Sequence, residues 1–160
     1  MLTLAYIGPA LIAFLGLIVG TILAKLSPEE MDTGKTYFPL LQKVILLSLL
    51  VFFVHALALP FLFRVPIYVF AIFYAFSMRS SIILYLFFGF VFFISSDSPT
   101  PFLTITSLIF LYGLPTGSLF TLQHTTSIVA LYRKLFFHHA SFLVIVALLP
   151  FTFPVIKKLF

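Results

Sequence analysis

Continuous apolar runs are the feature that most constrains how this chain can fold. The runs from Leu2 to Leu26 and from Phe38 to Leu62 each contain one Lys or Arg, namely Lys25 and Lys43. A helix that crosses a bilayer needs about 20 predominantly apolar residues. The runs do not alternate between polar and apolar residues, which favours helices over the strands of a barrel. The sequence therefore predicts an all-α integral membrane protein.

The composition leads to the same expectation. Of the 160 residues, 62% are hydrophobic and 8% are charged, whereas a soluble domain is about a quarter charged. Positive residues lie singly or in pairs at the ends of apolar runs, which is typical of contact with the lipid bilayer and not with nucleic acid. We expect residues 1–160 to form a single transmembrane domain that crosses the membrane several times. We expect this membrane to be the cell membrane.

The apolar segments predict a polytopic bundle of about six transmembrane helices. Their expected ranges are 2–26, 38–62, 67–78, 81–95, 102–132 and 140–156. Between the first two segments, Ser27 and Glu30 form a capping-box pattern around Pro28, and Thr33-Gly34 is expected to turn the chain. A split of the segment 102–132 would give seven crossings. Positive charges divide six to three in both arrangements, so the positive-inside rule does not choose between them, and segment lengths favour six.

A stripe of small residues marks the first segment. Its members are spaced by three or four residues and are Ala13, Gly16, Gly20 and Ala24. Such stripes allow the backbones of two helices to approach closely in a membrane. We expect this helix-packing stripe to face another helix of the same chain, with a dimer contact as the alternative.

The segment 102–132 is too long for one straight crossing. It contains about 31 residues, or roughly 46 Å of helix at 1.5 Å per residue, against a hydrocarbon core of about 30 Å. Near its middle lie Gly113, Pro115 and Gly117, residues that weaken helix continuity. We therefore predict a helix interrupted at Gly113–Gly117, like the discontinuous helices from which transporters build binding sites.

Polar side chains follow the predicted break. Thr116, Gly117, Ser118, Thr121, His124 and Thr125 form the candidate ligand or ion site. A free helix N-terminus beside hydroxyl groups would suit an anion or a carbonyl group. The alternative is a proline kink whose freed carbonyl groups are satisfied by the Thr and Ser side chains.

Neither a metal nor another cofactor is expected. The chain has no Cys, and the adjacent His138 and His139 point about 100° apart on a helix, which is poor geometry for holding one ion. In the predicted topology His55 and His124 differ in depth by roughly 20 Å, which disfavours a shared haem. We find no carboxylate inside a predicted span and no motif of a known class of enzyme.

Three functions fit these features. The first is a small transporter or permeation protein for a small solute or ion, built around the broken helix and acting as a homo-oligomer. The second is a non-catalytic subunit or scaffold that packs against larger partners in a membrane complex. The third, an intramembrane enzyme, has no motif to support it. The first requires a polar cavity that reaches the break, and the second requires an exposed helix face of small residues.

Overall fold

Helices account for nearly all of the chain in the computed structural model, which describes residues 2–57, 60–77, 81–96, 98–123 and 127–156. Within these ranges no strand is present. The helices are α1 (Leu2–Leu26), α2 (Pro28–Ala56), α3 (Phe61–Ser77), α4 (Ser81–Ser95), α5 (Pro99–Gln123), α6 (Ile128–His139) and α7 (Ser141–Ile156).

The expected count of about six crossings is not confirmed. Three helical stretches of the described chain are long and apolar enough to cross a membrane: Tyr6–Leu26, Pro28–Ala56 and Pro99–Gln123. A fourth candidate is the bent pair Val129–His139 and Ser141–Pro150, with 44° between its two parts. The apolar stretch Ile83–Ser95 in α4 is shorter. The chain is thus an all-α bundle with three or four candidate spans, which is compatible with a membrane-embedded protein.

The second helix begins earlier than its apolar run predicts. It starts at Pro28 instead of Phe38 and continues through Thr33 and Gly34, so the expected turn at these two residues is wrong. Ser27 occupies the N-cap position, but its side chain makes no capping hydrogen bond. Gly34 is buried beside the ring of Phe38, so this glycine makes room for an aromatic side chain within a continuous helix.

The expected interruption of the long segment at Gly113–Gly117 is also wrong. α5 is continuous from Pro99 to Gln123 with Pro115 inside it, and the segment is divided instead between Gln123 and Ile128, where α5 ends and α6 begins. Proline removes one backbone donor, and a membrane helix tolerates that loss when neighbouring helices and hydroxyl side chains satisfy the backbone. Near Pro115, α1 packs against α5, and the hydroxyl groups of Thr116 and Ser118 bond to carbonyl oxygens of Tyr112 and Leu114.

Glycines on both helices form the contact between α1 and α5, here called the glycine seam and defined by Gly16, Gly20, Gly113 and Gly117. A Cβ atom at Gly16 would overlap the carbonyl oxygen of Phe110, and one at Gly20 would overlap that of Leu114. In return, a Cβ atom at Gly117 would overlap the carbonyl oxygen of Leu17. The two backbones therefore touch with no side chain between them. The other members of the predicted stripe, Ala13 and Ala24, are buried on the same helix.

The register of the glycine seam gives the relative direction of the helices. Gly16 lies opposite Phe110 and Gly20 lies opposite Leu114, so the residue numbers rise together and α1 and α5 are parallel. Ring contacts give the opposite direction for α4. Tyr85 packs on Tyr112 at a centroid distance of 6.3 Å, and Phe92 packs on Phe102 at 4.8 Å. α4 is therefore antiparallel to α5.

The glycine seam predicts different outcomes for two Gly-to-Ala substitutions in α1. We expect Gly20→Ala to lower the free energy of unfolding by about 1 to 3 kcal/mol, as overpacked cores do, because the added methyl group displaces the backbone of α5. Gly8→Ala is the matched control, since no described atom outside the adjoining backbone of α1 lies within 4 Å of a Cβ at that position. Thermal unfolding in detergent measures both variants. Equal stability of the two would contradict the backbone contact.

Candidate functional site

The described members of the predicted site lie inside the bundle. Thr116, Gly117 and Ser118 are buried and Thr121 is half-buried. The remaining two, His124 and Thr125, fall outside the described residues. Since α5 is continuous here, the peptide groups of residues 113–117 belong to the interior of a helix and form no helix N-terminus. The predicted backbone anion site is therefore absent from this part of α5.

The hydroxyl groups of these residues are engaged within the protein. The Ser118 hydroxyl lies 2.9 Å from the carbonyl oxygen of Gly20 on α1 and 3.1 Å from that of Leu114, and shares its proton between them. The Thr121 hydroxyl donates to the carbonyl oxygen of Gly117 at 2.9 Å. An unsatisfied polar group in hydrocarbon costs several kcal/mol, so these bonds remove a large penalty from the centre of the bundle.

A matching hydroxyl group on α1 faces the same seam. Thr21 is fully buried and donates to the carbonyl oxygen of Leu17 at 2.9 Å, with the carbonyl oxygen of Gly117 on α5 at 3.4 Å. Hydroxyl groups from both helices therefore bond across or beside the glycine contact. Of the residues that the sequence pattern assigned to ligand binding, Gly117 and Ser118 thus contribute to helix packing in α5. Ligand binding by these residues stays a prediction.

A second polar cluster, not identified from the sequence, lies on the other side of Thr116. Gln42 of α2 donates from Nε2 to the hydroxyl oxygen of Thr116 at 2.8 Å, while the Thr116 hydroxyl donates to the carbonyl oxygen of Tyr112 at 2.7 Å. The same hydroxyl is near the phenol groups of Tyr85 and Tyr112. We call Gln42, Tyr85, Tyr112 and Thr116 the polar cluster.

The Tyr85 hydroxyl is the least satisfied group of the polar cluster. Tyr85 is 2% exposed, and although Thr116 is nearby, no described atom completes a well-formed hydrogen bond with the phenol oxygen. A buried polar group without a partner costs about 1 to 3 kcal/mol. The ring itself is well packed, with the His139 ring edge-on at 4.6 Å. The buried hydroxyl groups of Tyr6 and Ser141 also lack a described partner, but Tyr85 is the one that belongs to the polar cluster.

The described histidines differ in burial, although the rings of His138 and His139 lie 5.0 Å apart. His139 is buried, and its Nδ1 lies 3.0 Å from the carbonyl oxygen of Leu135. Because a carbonyl oxygen can only accept a hydrogen bond, Nδ1 carries the proton. His138 and His55 are exposed, whereas His124 lies outside the described residues. Among the described residues no three His, Cys, Asp or Glu side chains are close enough to hold a metal ion together.

The spacing of the glycines in the sequence could have predicted the glycine seam. The sequence pattern gave only a weak indication of the polar cluster. Gly113 and Gly117 have the same spacing of four as Gly16 and Gly20, which is the spacing of close helix contacts in membranes. Pro115 between them favoured the interpretation as a break. Gln42 is a lone amide in an apolar run, and its partner Thr116 lies 74 residues away, so only the packing of α2 on α5 joins them.

The bond between α2 and α5 predicts an energetic coupling. In a double-mutant cycle, Gln42→Leu and Thr116→Val should couple by about 1 kcal/mol, a typical value for a hydrogen bond between membrane helices. Ser118→Ala is the control, because its hydroxyl bonds to Gly20 and Leu114 and not to Gln42, so its effect should add to that of Gln42→Leu. Unfolding free energies of the single and double variants give the coupling. Additive behaviour of the Gln42 and Thr116 changes would contradict the bond.

Neither a protein-family model, nor a curated protein, nor a solved structure matches this chain. The function is therefore inferred from the chain's own contacts. The two arrangements that bear on function are the hydroxyl groups engaged along the glycine seam and the polar cluster around Tyr85.

Proposed function

We propose that this chain is a non-catalytic, multi-pass subunit of a larger membrane assembly, and that it acts by packing against another helix. The observation that carries the proposal is an exposed stripe of hydroxyl side chains on α5, which lies beside the exposed side chains of Leu103 and Leu111. Thr100 and Ser107 are exposed on this face and Thr104 is half-buried between them. Spacings of four and three place all three on one side of the helix.

The chemistry of this face suits contact with a second helix in a membrane. The Thr104 hydroxyl donates to the carbonyl oxygen of Thr100 at 3.0 Å, and the Ser107 hydroxyl donates to that of Leu103 at 2.9 Å. Each group is thus satisfied while it faces lipid, and its short side chain leaves room for another backbone. Small and hydroxyl-bearing residues are enriched at helix contacts in membranes for these reasons.

α5 would then pack on helices through two separate faces. The face with Gly113 and Gly117 is covered by α1, while the described part of the chain leaves Thr100 and Ser107 exposed on the other face. Hydroxyl groups near Gly117 are used for packing, which supports a structural role for this helix over a solute pathway built at a helix break. The partner is either a second copy of the chain or a different membrane protein.

Leucine substitution at Ser107 tests the proposed contact. We expect Ser107→Leu to weaken association about tenfold or more, because overpacking of a close helix contact costs about 1 to 3 kcal/mol. Ser48→Leu on α2 is the matched control, since Ser48 is also exposed and bonds to the carbonyl oxygen of Val44 on its own helix. The measurement is the mass of the tagged chain and its partners after gentle extraction from native membranes, in which multiples of 18.1 kDa identify a homo-oligomer.

Two outcomes would contradict the proposed contact. One is a wild-type chain that leaves native membranes only as a monomer. The other is an equal loss of association in both variants, which would show a general effect of lost hydroxyl groups. Loss of association in Ser107→Leu, together with an intact assembly in Ser48→Leu, would support the contact on α5.

A second candidate function, transport of a small solute or ion, is favoured by the polar cluster. Tyr85 presents a buried phenol without a well-formed protein bond, next to a hydroxyl and an amide from two other helices. Such a group would bond to a small polar solute. Transport requires water to reach the bundle interior, whereas the packing proposal requires an interior that is closed to water.

Cysteine labelling separates the two candidates, because the native chain has no Cys. If the bundle is closed, Ser118→Cys and Thr121→Cys should resist a small water-soluble thiol reagent, since both native side chains bond inside the protein. Thr33→Cys is the control for reagent activity, because Thr33 is exposed near the charged start of α2. Labelling of both inner positions at a rate near that of Thr33→Cys would favour transport.

A further inference from the structure

α6 has two chemically different faces. Its buried face repeats every four residues and consists of Leu131, Leu135 and His139, each 1% exposed. At about 100° per residue, the opposite face contains two basic and two apolar side chains, which are Ala130, Arg133, Lys134 and Phe137. This pattern fixes which side of α6 is turned away from the bundle.

The outward face of α6 forms a groove. Ala130, Arg133, Lys134 and Phe137 line a cavity of about 290 Å³, here called the basic groove. Arg133 and Lys134 are exposed, and Phe137 is 75% exposed. No described carboxylate is paired with either cation, and the acidic side chains of the described chain all lie in the first turns of α2. The groove thus combines uncompensated positive charge with exposed aromatic surface.

Contacts with α1 give the level of the basic groove along the bundle. Lys25, in the last turn of α1, lies 6.0 Å from the centroid of the Tyr132 ring on α6. Tyr132 directly precedes Arg133, so the end of the groove with the two cations lies near the end of the candidate span Tyr6–Leu26. If α1 crosses a bilayer, that end is at the level of the lipid headgroups. The other end of the groove lies deeper along the span, since Phe136 packs on Phe14 at 5.8 Å.

The apolar surface beside the cations indicates lipid and not water as the surroundings. Val129 is 79% exposed and Phe136 is 48% exposed, flanking the groove on the same side of α6. A helix that combines basic residues with exposed aromatic and aliphatic residues is typical of the membrane interface. There its cations meet phosphate groups while its apolar side chains contact the upper part of the acyl chains.

We propose that the basic groove binds the headgroup phosphate of an anionic phospholipid. The Arg133 guanidinium donates two hydrogen bonds to the phosphate oxygens, and the Lys134 ammonium adds a second positive charge. The ring of Phe137 packs against the start of an acyl chain. This inference concerns α6 alone and does not depend on the proposed packing contact on α5.

A tryptophan reporter in the groove tests the proposal. The chain has no Trp, so Phe137→Trp in nanodiscs of phosphatidylcholine provides a single fluorescent probe. We expect brominated phosphatidylglycerol to quench this probe more strongly than brominated phosphatidylcholine at the same mole fraction. Adding Arg133→Gln or Lys134→Gln should weaken the apparent affinity for phosphatidylglycerol about fivefold each, as expected for one basic residue near an anionic surface.

A matched control separates the groove from the general charge of the protein. Lys35→Gln removes the same charge from an exposed lysine that is paired with Asp32 at 2.7 Å, and it should leave the quenching by phosphatidylglycerol unchanged. Because a tryptophan can itself disturb the groove, lipid retention is also measured by native mass spectrometry on chains that keep Phe137. The Arg133 and Lys134 variants should then retain less phosphatidylglycerol than the unmodified chain.

Three outcomes would overturn the proposal. The first is equal quenching by the two brominated lipids. The second is a loss of affinity for phosphatidylglycerol in Lys35→Gln as large as in the groove variants, which would show that general surface charge causes the binding. The third is release of the bound lipid by millimolar inorganic phosphate, which would assign the groove to a soluble anion.

Discussion

The backbone contact between α1 and α5 is the constraint on which the rest of the bundle depends. Gly16 and Gly20 meet the backbone of α5 directly, and Gly117 meets that of α1. Because the two helices are parallel, the residues between them must return the chain to its starting side, and α4 is accordingly antiparallel to α5. The core aromatic side chains then fill the space beside this fixed pair.

Close backbone approach also explains how the polar side chains of the interior are accommodated. Ser118 reaches the carbonyl oxygen of Gly20 across the seam, and Gln42 reaches Thr116 from α2. The first bond forms because the seam brings α1 within reach of a short hydroxyl side chain, and the second forms because α2 packs on α5. Three buried hydroxyl groups of the described residues, those of Tyr6, Tyr85 and Ser141, have no hydrogen-bond partner. The Tyr85 group is the one on which the transport candidate rests.

The outer surface divides into regions with different chemistry. The face of α5 around Ser107 is small and internally bonded, which suits a helix. The basic groove around Arg133 combines charge with exposed aromatic surface, which suits a lipid headgroup. Both proposals follow from side chains that the interior does not use. The first proposal gives α5 a neighbouring protein helix, and the second gives α6 a neighbouring lipid.

The sequence by itself determined the helical class, the apolar runs and the stripe that includes Gly16 and Gly20. Apolar transfer free energy is summed along a segment, so composition alone identifies a run that avoids water. It did not determine that Gly113 and Gly117 pack against α1, that the helix starting at Pro28 continues through Gly34, or that Gln42 meets Thr116. Those features belong to the tertiary structure, because a proline between two glycines permits either a break or a close contact. The backbone of a neighbouring helix decides between them, because it covers the glycines and accepts a hydrogen bond from Ser118.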